Sequence, residues 1–254
     1  MRHVLGALIV VFTTLSNGTA AAPSATVPVL VELFTAEGCS SCPPADTLLE
    51  KMLESQPASG AEIVGLGEHV DYWDRLGWKD RFSSAAFTAR QQRYASRSKS
   101  DDVYTPQMVV DGQEAFVGSD INAARRAIEH AVTMPHAIVR MTQAVSANSV
   151  AVSVAVTNLP AMTSGDRADI VVAVIEDRLR TDVRGGENKG RTLTHAAVVR
   201  EMRTVGEASS AGAVETKVQI PSDWNRANVK LVAFAQERSG RRVLGTAAAA
   251  LAQR

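Results

Sequence analysis

The sequence predicts an α/β domain followed by a small antiparallel β-sandwich domain, and three features carry that prediction. An apolar run ends in a C-x-x-C motif, Cys39-Ser40-Ser41-Cys42. An amphipathic helical stripe follows the motif at once. Beyond Met134-Pro135-His136 the texture changes to short β-rich runs.

Val27–Phe34 is apolar and rich in β-branched residues, a buried strand that runs directly into the cysteines. Ala45, Leu48, Leu49, Met52 and Leu53 then recur at helical spacing. Pro43 and Pro44 fit only in a first turn, where backbone N–H groups have no intrahelical acceptor, so the helix begins at or just after Cys42. Ile63–Val70 reads as a second strand. Asp80–Ser98 is helix-permissive, with Phe82, Phe87 and Tyr94 as buried contacts. Val103–Val110 is a strand interrupted by Pro106, Asp111-Gly112 a hairpin turn, and Ala115–Val117 the return strand. Ser119 or Asp120 can cap a last helix whose apolar stripe includes Ile121, Ala124, Ile128 and Val132.

Further on, Ile138–Val145, Val150–Val156, Ile170–Ile175, Ala213–Ile220, Val229–Ala235 and Val243–Ala247 are strand-like, with Val198–Thr204 as a further candidate. Such runs separated by turn residues suggest the sandwich. The domains are expected at residues 27–134 and 137–254.

At the start of the chain, Arg2 and His3 precede an apolar run from Val4 to Leu15 and then small residues at 18–22. This is the pattern of a secretory signal peptide over residues 1–22. The apolar run falls short of the ~20 residues a bilayer span needs. A periplasmic or secreted protein is expected, without an integral membrane span after cleavage. Lys plus Arg number 27 against 27 Asp plus Glu, with no basic block interleaved with aromatics. Nucleic acid is therefore not an expected partner.

The chain has two cysteines, three positions apart. Closing so short a loop stabilises by roughly 2 kcal/mol, against about 4.7 for a 100-residue loop. Redox chemistry or metal binding explains the pair better than stapling does. A cysteine at the positive end of a helix is favoured as thiolate. Cys39 is thus the expected exposed nucleophile, and Cys42 the thiol that resolves a mixed disulfide.

Val31–Cys42 resembles the strand-to-active-site segment of the thioredoxin superfamily. Thr105-Pro106-Gln107-Met108-Val109-Val110-Asp111-Gly112 resembles the segment that holds the cis-proline of glutaredoxins. Together, GCSSCPPAD, HVDYWDRLGWKD, YTPQMVVDG and GENKGRTLTH resemble secreted bacterial proteins described only as domain of unknown function 1223. The resemblance implies a thioredoxin-like first domain, an appended β domain and no established reaction. It also implies a cis Thr105–Pro106 bond that offers backbone beside Cys39 to an extended peptide. Leu33 occupies the position where many thioredoxins keep a buried aspartate, while Glu32, one position away, should face the other side.

His69 and Asp71 end a strand at the same sheet edge as the cysteines. They read as proton-transfer groups, as metal ligands beside the thiolates, or as shapers of a loop packed by Tyr72, Trp73 and Trp78. The glycine-rich, charged stretch Arg184–His195, with Arg191 and His195, reads as a wall of the active-site groove or as an exposed loop. His130 and His136 read as surface or linker residues. The leading function is an exported thiol–disulfide oxidoreductase that acts on protein thiols or disulfides without an organic cofactor. A metal-binding or Cu(I)-handling module using Cys39 and Cys42, with or without His69, and a non-enzymatic assembly or adhesion protein, stand as alternatives.

Overall fold

Strand β1 (Val27–Thr35) is buried along seven of its nine positions, as its nearly unbroken apolar sequence requires. It belongs to a computed structural model that describes residues 26–97, 103–208 and 213–252; the segment read as a signal peptide lies outside them. Helix α1 (Pro43–Ser55) connects β1 to the parallel strand β2 (Ala61–His69). Cys42 is its N-cap, its carbonyl accepting from the N–H groups of Ala45 and Asp46.

Helix α2 (Ala85–Arg97) starts later than the sequence pattern suggests, because the Asp80 carboxylate accepts from Phe82 N and holds the preceding residues in a turn. Strands β3 (Gln107–Val110) and β4 (Glu114–Val117) form a hairpin on the far side of β1. Helix α3 (Ile121–Thr133) is capped by Asp120, which accepts from Asn122 N and Ala123 N. Ile121, expected in its apolar stripe, is instead 61% exposed, and Ala124, Ala127, Ile128 and Ala131 form the packed face. None of the described helices is long and apolar enough to cross a membrane.

The remaining described strands are β5 (Ile138–Val145), β6 (Ser149–Thr157), β7 (Ala168–Glu176), β8 (Leu179–Asp182), β9 (Thr192–His195), β10 (Val198–Glu207), β11 (Ala213–Gln219), β12 (Val229–Glu237) and β13 (Val243–Ala250). One sheet runs β13-β12-β7-β10-β2-β1-β3-β4, so it joins strands from both sides of the expected boundary at 134–137. A second sheet, β11-β6-β5, packs on one face of β7 and β12, and β8-β9 is a separate hairpin.

Strand alternation sorts the cores. Ile170, Val172 and Val174 face the β5–β6 side, while Val171, Ala173 and Ile175 join Leu30, Val64, Leu66 and Phe87 in a core shared by both halves of the chain. Val29, Val31 and Leu33 face Ala45, Leu49 and the apolar side of α3. Glu32 therefore points away from α1. Its carboxylate accepts from Arg90 Nε at 2.5 Å and from the Tyr94 hydroxyl at 2.5 Å, both on α2. Burial alone raises both Glu32 and its neighbour Glu68. The Arg90 charge and the hydrogen bonds reverse this for Glu32, whereas the charge of Glu32 drives Glu68 higher still.

The halves of the large sheet meet where β10 runs parallel to β2, with Val198 opposite Gly67 and Gly67 N donating to Ala197 O at 2.7 Å. A Cβ at Gly67 would lie 3.1 Å from Ala196 O and 3.4 Å from Ala197 O. Backbone cannot yield as a side-chain tip can. Gly67→Val should lower the unfolding free energy by about 1–3 kcal/mol, the usual cost of overpacking, as read from the urea midpoint. An unchanged midpoint would show that this junction tolerates a side chain.

Candidate functional site

β1 delivers the chain to the cysteines, and α1 leaves directly from them. Cys39 and Cys42 form a disulfide with Cα atoms 5.4 Å apart, and Cys42 N donates to Cys39 O at 3.2 Å. The pair packs among Phe34, Ala36, Val70, Tyr94 and Val109, with Tyr72 and Trp73 against the cluster. Cys39, expected to be exposed, is fully buried, as is Cys42. The cover comes from far along the chain. Asn188 Nδ2 donates to Glu37 O at 2.9 Å and to Cys39 O at 2.8 Å, and Glu187 accepts from Ser40 N at 3.0 Å.

Thr105–Pro106 is cis. Phe34 lies opposite Gln107 in the β1–β3 register, which sets Thr105 and Pro106 alongside the end of β1 where the cysteine loop begins. A Cβ at Gly118 would meet Pro106 at 3.1 Å and Ala45 at 3.2 Å, so Pro106 lies at the first turn of α1. Trp73 ties this region together: its indole N–H donates to Thr105 Oγ1 at 2.8 Å, and its side chain lies against Gly38. Asp71 turns to α2, accepting from Thr88 Oγ1 at 2.6 Å, and shapes the loop. Tyr72 donates to Gln91, and burial raises its phenol to about 12.

A set of buried polar side chains lies next to the cysteine loop. His69 Nδ1 is 2.6 Å from Asp80 Oδ2, and Asp80 also accepts from Glu37 N at 2.9 Å and Phe82 N at 2.8 Å. Glu37 accepts from Trp78 Nε1 at 2.7 Å, and its other oxygen is 3.4 Å from His195 Nε2. The His69 and His195 rings stand 4.9 Å apart. Among the described residues neither His195 nitrogen has a hydrogen-bond partner within normal geometry. Asp46, one turn into α1, faces Thr35 and the fields of His195 and His69.

Burial pulls His69 down, but Asp80 beside it, with Asp46 and Glu37, leaves its pKa raised. Burial pushes Asp80 up, but His69 and the two backbone donors hold it low. Burial raises Asp46 despite both histidines.

The structure therefore brings Cys39, Cys42, Thr105, Pro106, His69, Trp73 and His195 together. Arg191 is exposed and acts one step back, donating to Asn188 Oδ1 at 2.9 Å. His136, read as a surface or linker residue, is half-buried against Asp111, with Nε2 3.0 Å from its carboxylate. Sequence reasoning did not single out Glu37, Asp46, Asp80 or Asn188 as site residues, although each lies inside a quoted motif. Among the described residues no group of three or more His, Cys, Asp or Glu side chains is placed to hold a metal ion.

Fold and site define a mixed α/β protein with a covered C-x-x-C disulfide at a helix start, flanked by a buried histidine–carboxylate set. The chain belongs to the family described as protein of unknown function DUF1223, whose model matches residues 30–236. The X-ray crystal structure of a protein from Agrobacterium tumefaciens is similar over 90% of this chain and 96% of that one, at 26% identity and a TM-score of 0.65. A domain of the outer membrane lipoprotein Omp28 from Porphyromonas gingivalis matches 46% of this chain and 89% of its own length, at 14% identity and a TM-score of 0.33. No curated protein matches the chain.

The His69–Asp80 pair has a calculable pH signature. Asp80 titrates below its unfolded value of 3.8, so its contribution is present above that value and is lost as pH falls through the lowered pKa. His69 titrates above its unfolded value of 6.5, so its contribution is full below that value and is lost as pH rises through the raised pKa. The stability difference between wild type and His69→Gln should therefore peak between about pH 4 and 6.5 in urea melts. A flat difference from pH 5 to 10 would contradict the pairing. Asp80→Asn at pH 6 should cost about 3–5 kcal/mol, because it leaves a buried partner uncompensated.

Proposed function

We propose that the protein is an exported thiol–disulfide oxidoreductase, with a thioredoxin-like unit carrying the chemistry and a β-sandwich unit appended, acting on protein thiols or disulfides. The observation that carries this reading is the Cys39–Cys42 disulfide at the start of α1, with Pro106 at the same turn and buried proton-exchanging groups nearby. The two-electron chemistry needs only the cysteines.

In the oxidising direction, a substrate thiolate attacks Cys39 Sγ, the Cys39–Cys42 bond breaks, and Cys42 leaves as thiolate and takes up a proton. A second substrate thiol loses its proton and attacks the substrate sulfur of the mixed disulfide, and Cys39 leaves as thiolate and takes up a proton. The substrate gains a disulfide; the protein gains two electrons and two protons. The reducing direction is the reverse. Asp46, one turn beyond Cys42 and raised by burial, is the carboxyl best suited to exchange the Cys42 proton. The export component rests on Arg2, His3 and the apolar and small residues that follow them.

Because both sulfurs are buried, exchange requires the 183–191 loop to lift from Ser40 and Cys39. Removing the Asn188 amide deletes two hydrogen bonds of the cover. Asn188→Ala should therefore speed reduction of the disulfide by dithiothreitol by about 5–30-fold, the equivalent of one or two kcal/mol.

Catalysis is tested by incubating reduced Cys42→Ala with a protein disulfide. A mixed disulfide should accumulate through Cys39, and in the Cys39–Cys42 protein Asp46→Asn should slow turnover about a hundredfold. Failure of both Cys42→Ala and Cys39→Ala to capture a protein disulfide, even in an Asn188→Ala background, would end the oxidoreductase reading.

A further inference from the structure

We propose that the pocket between α2 and the β7, β10 and β12 region of the large sheet binds a small organic dianion. The pocket has a volume of about 350 Å³, within the roughly 300–1,000 Å³ typical of small-molecule sites. Arg90, Arg93, Arg203, Arg238 and Arg241 line it, and Asp169 is the one carboxylate among its lining residues. It shares no residue with the disulfide site, and this inference does not rest on the redox reading.

Pairing removes three of the five charges. Arg90 bonds the Glu32 carboxylate, Arg238 lies 2.5 Å from Asp169, and Arg203 lies 3.2 Å from Glu201. Arg93 and Arg241 have no carboxylate partner among the described residues. Arg241 Nη2 donates to Gln236 Oε1 at 3.0 Å, but its Nε is buried without an acceptor, as is Arg203 Nε. Unmet buried donors are expensive, and a charged acceptor repays them best. Burial, with the like charges of Arg90 and Arg93, lowers Arg241 from the ordinary arginine value against the opposing pull of Tyr94 and Glu32, an imbalance that an anion would relieve.

Size and lining decide between a mineral anion and an organic one. Phe87, Val171 and Met202 supply an apolar wall. The volume is about ten times the ≈ 30 Å³ share of one water in the liquid, more than an inorganic oxyanion fills. Two spare charges beside an apolar wall fit a doubly charged head on a short hydrocarbon or aromatic body.

The test uses phenyl phosphate as probe, titrated calorimetrically into the full chain at pH 7.5 and 150 mM NaCl, with inorganic phosphate and phenol in parallel. Saturable binding at one site is expected, roughly tenfold or more tighter than inorganic phosphate. Arg93→Gln and Arg241→Gln should each weaken it roughly tenfold or more, and Cys39→Ser/Cys42→Ser should leave it unchanged. Arg93 is exposed on α2, so its variant tests the site even if Arg241→Gln does not fold. Absence of saturable binding would overturn the proposal. So would equal binding of phenol or of inorganic phosphate, or an affinity unaffected by Arg93→Gln.

Discussion

Strand β10 joins β2 at one register position, where the Gly67 N–H meets Ala197 O and the backbone carbonyls of Ala196 and Ala197 occupy the space a side chain would need. On this contact depends the continuity of the large sheet. Ala197 adopts a positive φ of 53° there, held by an Asp177 carboxylate that accepts from its N–H at 2.8 Å. The segment just before Ala197 is β9, ending in His195. The junction thereby sets the β8–β9 hairpin, and the loop it carries, against the end of β1 and β2. It acts together with the bonds of Asn188 and Glu187 to the cysteine loop, which hold the 183–191 loop in place.

Two buried polar sets depend on the pairing of β1 with β2. Glu32 and Glu68 face α2 and share Arg90, whose guanidinium also reaches Gln236 on β12. Nearer the cysteines, His69, Asp80, Glu37 and His195 meet around the loop that holds the disulfide. Burying charge is costly, and such pairs are weak evidence for net stability. Their effect is positional. Each carboxylate that must find its donors fixes where a neighbouring element lies: Asp80 accepts from His69 of β2, from Glu37 beside Cys39, and from Phe82 ahead of α2. One carboxylate thus ties the cysteine loop to two other parts of the chain.

The cover over the disulfide is bonded substantially to itself. Val183 N donates to Arg191 O, Gly190 N to Val183 O, and Arg191 N to Asn188 O. Gly186 and Gly190 take positive φ at 65° and 84°. Its hold on the cysteine loop includes the side-chain bonds of Glu187 and Asn188. A self-contained loop fastened by a few side chains can open locally at a fraction of the global unfolding free energy. A buried disulfide and slow, selective exchange are therefore compatible.

Local pattern was enough to read the strand, the cysteine pair, the helix start at the two prolines and most strands after residue 138, because each of these is written within a few residues. The hairpin β8–β9 escaped: its strands, Leu-Arg-Thr-Asp and Thr-Leu-Thr-His, are only four residues each, too short for alternation to stand out. The orientation of Glu32 away from Leu33 was legible, since strand alternation alone demands it. Cys39 burial was not, because Asn188 covers it from a separation of 149 residues. The approach of His69 and of the stretch ending in His195 to the cysteines was expected, but their direct meeting with Glu37 and Asp80 was not, because the motifs that hold them do not record which side chains touch. By itself the sequence determined most of the longer elements and most of their apolar faces, since those follow from short-range periodicity, but not the β8–β9 hairpin, the start of α2 or the exposure of Ile121. Only the tertiary structure decided which polar side chains meet, because that depends on how β10 docks on β2, a contact between backbones that no side-chain pattern records.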